Sequence, residues 1–488
     1  MKNLVVFFLI PFLGFCQTQI GSDINGEVAG ERSGNSISLS SDGTILAVGA
    51  ELNDQNGLNS GAVRVYKNTS GTWTQLGTTI YGESVGDLSG SSVSLSSNGS
   101  ILAIGAHLND GNGQNSGHVR VFRNNLGVWT QIGNDIDGTV AGDQCGNSNS
   151  LSSNGSIIAI GSWLNNGNGY KKGNVRVFQN ISEAWIQIGT DINGEADEDF
   201  SGLYISLSSD GTTLAIGSQR NDGNGIDSGH VRVYHITSGT WTQIGNDIDG
   251  EAAGDRSGIK FSISSDGSTI AIGSILNDGN GIDSGHVRVF QNISSVWTQI
   301  GNDINGEVAG DHFGNGISLS LDNNILIVGA DLNDGNGIDS GHVRVFRYVS
   351  GTWIQVGIDI NGEGADDKSG VSNSLSSNAT ILAIGSSFND GNGIDSGHVR
   401  LFDITNFLSS NEFVLENFTI TPNPTSQLIN INLNDSLEFQ KATIYNTLGQ
   451  IIKTETTKNI SVSDLSNGTY FIEVETNKGK ATKTFIKE

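Results

Sequence analysis

Residues 242–297 read TQIGNDIDGEAAGDRSGIKFSISSDGSTIAIGSILNDGNGIDSGHVRVFQNISSVW, and the chain repeats this unit with small changes. Trp73, Trp129, Trp185, Trp241, Trp297 and Trp353 stand 56 residues apart, and a fixed period of this length marks a repeat architecture. Each copy holds four strand-like runs. The first alternates with period two (Ser36 to Leu39), and the second is apolar nearly throughout (Ile101 to Gly105), as a strand buried on both faces should be. Between them Asp-Gly or Asn-Gly pairs (Asp42-Gly43, Asn98-Gly99, Asp266-Gly267) accept positive φ and close a tight hairpin. The third run is His-Val-Arg-Val-Phe (His118 to Phe122), and the fourth is Trp-Thr-Gln-Ile-Gly (Trp129 to Gly133). Seven copies of four short strands predict an all-β fold, a seven-bladed β-propeller over residues 17–403.

The phase of the repeat predicts closure. A fourth-strand copy, Gln17 to Gly21, stands alone near the N-terminus, while the last copy stops after its third strand, His398 to Phe402. The N-terminal strand is expected to complete the last blade beside Val399 to Phe402, which removes the exposed edges of an open array. Glycine-rich turns fit this: 68 of 488 residues are glycine, and none of residues 17–421 is proline.

Outside the repeats, Lys2 followed by the apolar run Leu4 to Phe15 has the order of a signal peptide. Cleavage is expected after Cys16, with acylation of Cys16 as the alternative; no later run is apolar for long enough to span a membrane as a helix. Without Cys16, Cys145 is the sole cysteine, so no intrachain disulfide can form. The net charge is −26, carried by the repeats: 42 acids against 18 bases up to residue 411, and 9 against 7 beyond it. Such a body repels phosphate backbones, so no nucleic-acid partner is expected; divalent cations or basic surfaces suit it better.

The tryptophans are expected to pack between blades. His118, His230, His286, His342 and His398 precede the same Val-Arg in five different blades, so they should not meet on one ion and are read as structural contacts, not ligands. The acidic loops carry more. One type follows the fourth strand (Asp247, Asp249, Glu251, Asp255; Asp303, Asn305, Glu307, Asp311), and the other lies between the second and third strands (Asp278, Asn280, Asp283; Asp334, Asn336, Asp339). Alternating strand direction puts both types on one face. Their oxygens and glycine bends suit Ca²⁺; the competing reading is that they cap turns and keep the surface soluble. No other cofactor is expected. The third repeat departs from its siblings at Trp163, Tyr170, Lys171 and Lys172, which makes it a candidate ligand site or a product of drift.

The repeats resemble the FG-GAP family of integrin α-chain propellers, through Phe313-Gly314, Ile317-Ser318-Leu319, Gly329-Ala330 and Gly341 to Phe346. The resemblance implies the propeller but not the family's calcium site, because the loop that carries it there has shrunk here to Ser-Ser-Asp-Gly. Residues 404–416 read as a linker. Residues 417–488 alternate like a small antiparallel sandwich. They look like the type A C-terminal sorting domain of the type IX secretion system, carried by Pro422-Asn423-Pro424, Gly449, Asn467-Gly468, Tyr470 and the lysine-containing last strand. That resemblance implies the secretion machinery as a partner and a secreted or surface location in a Bacteroidetes-type bacterium.

The sequence thus predicts an exported, monomeric binding protein, of adhesin type, for an extracellular protein or glycan. Seven nearly equal blades offer no unique catalytic cluster, so no enzyme is expected. The alternatives are a glycan-acting propeller hydrolase or lyase, or a structural surface-layer component.

Overall fold

The computed structural model describes residues 18–167, 169–405, 418–433, 437–447, 450–476 and 479–488. The signal peptide, residues 406–416 of the linker and Gly449 lie outside them. The described chain is all-β and divides into two units, one ending at Ile404 and the other starting at Thr405.

The first unit is a ring of seven antiparallel sheets. In the blade around Trp297 the strands are Lys260–Ile263, Thr269–Ser274, His286–Ile293 and Val296–Gln299, paired in that order. The second strand is buried at every residue. A fifth strand goes beyond the expected four: Ile304–Asn305 pairs with His286–Val287 of the same blade. Its physical reason is Gly301, which at φ 78° turns the chain out of the fourth strand before it re-pairs.

Serine explains the alternation of the first strands. At six of the seven junctions a serine hydroxyl accepts a backbone N–H from the neighbouring blade, as in Leu95 N to Ser38 Oγ, Leu151 N to Ser94 Oγ and Leu207 N to Ser150 Oγ, each 57 residues on. The same bond joins the ring's ends, from Leu39 N to Ser374 Oγ. These bonds use backbone donors that would otherwise be unpaired; at the remaining junction Ser318 Oγ donates instead to Asn373 O and Oδ1.

Closure uses the N-terminus. Thr18–Gln19 pairs with Phe402–Asp403, and Ile24–Asn25 with His398–Val399. The core lies between blades. Ile24, Val399 and Leu401 of the closing blade pack with Ile37, Leu39, Leu46 and Val48 of the first.

Each tryptophan spans such a seam. Trp297 packs against a cluster that joins Phe290 and Ile270 of its own blade to Val233 and Ile248 of the preceding one, and its indole N–H donates to Ile244 O at 2.9 Å. Trp129, Trp185, Trp241 and Trp353 repeat the bond on Leu76, Ile132, Ile188 and Ile300. Trp297→Ala removes a hydrogen bond and leaves a void at the seam, with an expected loss of about 3–5 kcal/mol in urea-unfolding stability; a loss below about 1 kcal/mol would show that the seam does not depend on the ring.

The second unit holds a three-stranded sheet and a four-stranded sheet. Asn423 clasps the last strand: its Oδ1 accepts Ile486 N at 2.9 Å and its Nδ2 donates to Thr484 O. Tyr470 stacks on Phe485 and donates to Ser466 O.

Candidate functional site

Because the repeats are so alike, the positions where they differ are informative, and the fold gathers them. The residue after each buried second strand is in turn Glu51, His107, Trp163, Gln219, Ile275, Asp331 and Ser387. A second variable position, four residues ahead of Ser36 and its equivalents, is Arg32, Leu88, Gln144, Phe200, Arg256, His312 and Lys368. All seven of the latter have φ between 51° and 56°, a region where bulky residues such as Leu88 and Phe200 are outliers. Strain of this kind concentrates at functional sites.

Both positions lie at the end of the first hairpin opposite the Asp-Gly turn, hence around one mouth of the channel. At the ring centre is a cavity of about 380 Å³, lined by first-strand residues from all seven blades and by Glu51, His107 and Lys260. Of the variable-position residues Glu51 and His107 line it, and others contact one another outside its lining. Arg32 and Lys368 both lie over the Phe388 ring, at 4.3 and 4.7 Å. Arg220 lies over Phe200, on which Trp163 packs edge-to-face at 5.1 Å. Trp163 Nε1, Gln219 Oε1 and Asp331 Oδ1 are buried without a partner among the described residues. Burial raises the carboxyls of Glu51 and Asp331 above their ordinary range, opposed by Arg32 at the first and by Asn315, His312 and Lys368 at the second. Burial also depresses Lys260, and lowers His107 to about 4. Ten lysines and arginines of the propeller lie outside the repeated third-strand position, and five of them (Arg32, Arg220, Arg256, Lys260, Lys368) stand here. The mouth thus gathers half of these bases, together with the carboxyls of Glu51 and Asp331.

The site residues expected from the sequence divide into three groups. Several build turns: Asp255 accepts Ala252 N and Asn277 Nδ2, and Asp311 accepts Glu307 N, Val308 N and Asn333 Nδ2. Asp278 and Asp334 accept the N–H groups of Asp283 and Asp339, while Asn280 and Asn336 donate to backbone carbonyls of the adjoining loop. Asn305 offers its backbone carbonyl to Arg344.

Asp247, Glu251, Asp303 and Glu307 instead face histidines. The five repeated histidines do not meet, yet each stands with two carboxylates, a grouping that their order along the chain does not reveal: Glu83–His118–Asp135, Glu195–His230–Asp247, Glu251–His286–Asp303, Glu307–His342–Asp359 and Glu363–His398–Asp23. Asp249 adds a further oxygen 3.9 Å from His230. The third group is the atypical third repeat, which the fold separates. Trp163 belongs to the channel mouth, whereas Tyr170 is exposed and covered by Lys171 at 4.9 Å, and Lys172 Nζ donates to Glu195 O.

Comparison with known proteins agrees with both units. The FG-GAP repeat matches residues 82–122 and 305–346, and the secretion system C-terminal sorting domain matches residues 419–488. No curated protein matches the sequence. Among solved structures, a protein of Bacteroides uniformis put forward as a 6-phosphogluconolactonase aligns with TM-score 0.49 and 13% identity, over 68% of this chain and 86% of its own. The periplasmic gluconolactonase PpgL of Pseudomonas aeruginosa aligns with TM-score 0.47 and 14% identity, over 87% of this chain and 94% of its own. Similarity at that level carries no argument about activity. No helix among the described residues is long and apolar enough to cross a membrane. The chain is a propeller that contains FG-GAP repeats and carries a type IX secretion C-terminal sorting domain, which indicates a secreted or cell-surface protein of Bacteroidetes.

Proposed function

We propose that the exported propeller is a binding protein that takes an acidic carbohydrate at the mouth of its central channel, either released or held on the cell surface. The observation that carries this reading is the convergence of the non-repeating residues on one mouth. Arginine and lysine supply charge-assisted bonds to a carboxylate, Trp163 and Phe388 supply apolar surface outside the cavity lining, and Asn35, Asn147 and Asn315 line a cavity of ligand size with amides. Titration calorimetry with uronate-bearing and neutral oligosaccharides tests it. Binding should be confined to the acidic sugars and should weaken at least about tenfold in R32A/K368A, the scale of one charge-assisted hydrogen bond, with an unchanged melting midpoint. Equal affinity for neutral sugars, or undiminished binding by the variant, would sink the proposal.

One observation favours a hydrolytic second reading. His107 Nδ1 lies 3.0 Å from Ser91 Oγ in the cavity wall, the contact of a base with a hydroxyl nucleophile. Turnover of a bound sugar, lost in S91A with binding retained, would select this reading over simple binding.

A further inference from the structure

We propose that the Glu–His–Asp clusters are five equivalent sites for a divalent transition-metal ion, zinc foremost, which staple the crossing segment of one blade to the next.

The cluster around His118 shows the geometry. His118 is 1% exposed, and its Nδ1 has no hydrogen-bond partner among the described residues. That nitrogen points at Asp135, 3.6 Å from Oδ2. Asp135 is itself oriented, because its Oδ1 accepts Gln131 Nε2 at 2.6 Å, which leaves Oδ2 for the centre of the cluster. Glu83 reaches the same point from the segment that crosses between blades, and one atom from each of the three residues lies within 4.8 Å of the others. Tetrahedral zinc ligands at 2.0–2.1 Å stand about 3.4 Å apart, so a small inward movement of the two carboxylates closes the set. An imidazole nitrogen among the donors selects zinc-like ions over Ca²⁺, and three protein ligands leave a fourth position for water.

The repeats supply a second, independent argument, because the histidine is present only where both acids are. Five blades have the histidine, and all five have the complete triad. In the third blade the histidine is Asn174, and the glutamate is Thr139; in the first the histidine is Ala62, and the aspartate is Thr79. Pairing with the neighbouring arginine does not explain this pattern. That arginine is present in all seven blades, including Arg176, whose blade has Thr139 in place of the glutamate.

The test is zinc titration of the full exported chain after chelation, with bound metal counted after dialysis. Five zinc ions per chain are expected, with no comparable uptake of calcium. His118→Asn should lower the count by one while leaving the metal-free melting midpoint unchanged, because the third blade already folds with Asn174 donating to Asp191 at 3.1 Å. No zinc uptake at tens of micromolar, or a count that H118N does not alter, would overturn the proposal. The clusters lie apart from the channel residues changed in R32A/K368A, so failure of either proposal leaves the other standing.

Discussion

Deletion of residues 18–25 is expected to open the ring and to lower the melting midpoint by more than about 15 °C, or to abolish the folded propeller. The last blade owns only three strands; its outer edge is supplied entirely by this segment. Thr18–Gln19 and Ile24–Asn25 pair with the strand His398–Asp403, and Ile20 N donates to Leu401 O at 2.7 Å. Ile24 is buried against Val399, Leu401 and the first blade. Hydrogen bonds of this kind contribute about 0.5–1.5 kcal/mol each and the buried isoleucine about 2–5 kcal/mol. Their sum approaches the whole stability of a typical domain, about 5–15 kcal/mol. The loss is also not local, since the seam between the last and first blades carries the serine bond from Leu39 N to Ser374 Oγ. A synthetic peptide of residues 17–28 added in trans should restore part of the midpoint. A truncated chain that melts within a few degrees of the intact one would show that the ring closes without its N-terminal strand.

Period and phase make this architecture legible in the chain itself. The tryptophan spacing defines the repeat, and the stranded copy near the N-terminus indicates where the chain closes. What stays hidden has two physical causes. The fifth strand is two residues long, below the length at which alternation can be seen, and it exists because a glycine breaks its predecessor. The channel mouth is illegible for a different reason. Glu51, His107, Trp163 and Asp331 occupy equivalent positions in separate copies, and along the chain such differences look like drift. Only the ring brings them to one end of its axis, with Glu51 and His107 in the wall of one cavity, so near-equal blades can still build a unique cluster. Trp163 stands out in the sequence, but in company with Tyr170 and Lys171, which are its neighbours along the chain and not in space. The Glu–His–Asp sets escape for the converse reason. Glu251, His286 and Asp303 lie 35 and 17 residues apart in three different motifs, and each histidine has its own pair of carboxylates, a grouping that the spacing of the histidines does not display.

Those same histidines make the metal-free propeller sensitive to acid. Burial lowers His118, His230, His286, His342 and His398 to about 4, whereas in the unfolded chain a histidine takes up its proton near 6.5. Each group is 1% exposed or less. Between those two values the unfolded state binds protons that the folded state refuses, so stability falls as pH falls. The loss begins below about pH 6.5 and is complete near pH 4; above pH 6.5 both states are neutral and these groups add no slope. Each contributes on the order of 2–3 kcal/mol across that window. Five together reach roughly 10 kcal/mol, enough to unfold a chain of ordinary stability. Urea unfolding with chelator present, at steps from pH 7.5 to pH 4.5, should show the midpoint falling steeply below pH 6.5. Replacing all five histidines by asparagine, the residue that the third blade already carries as Asn174, should flatten most of that slope while leaving stability at pH 7.5 nearly unchanged. A midpoint level between pH 7 and pH 5 would mean that the rings take up protons within the fold, with Asp135 and its counterparts as their ion-pair partners.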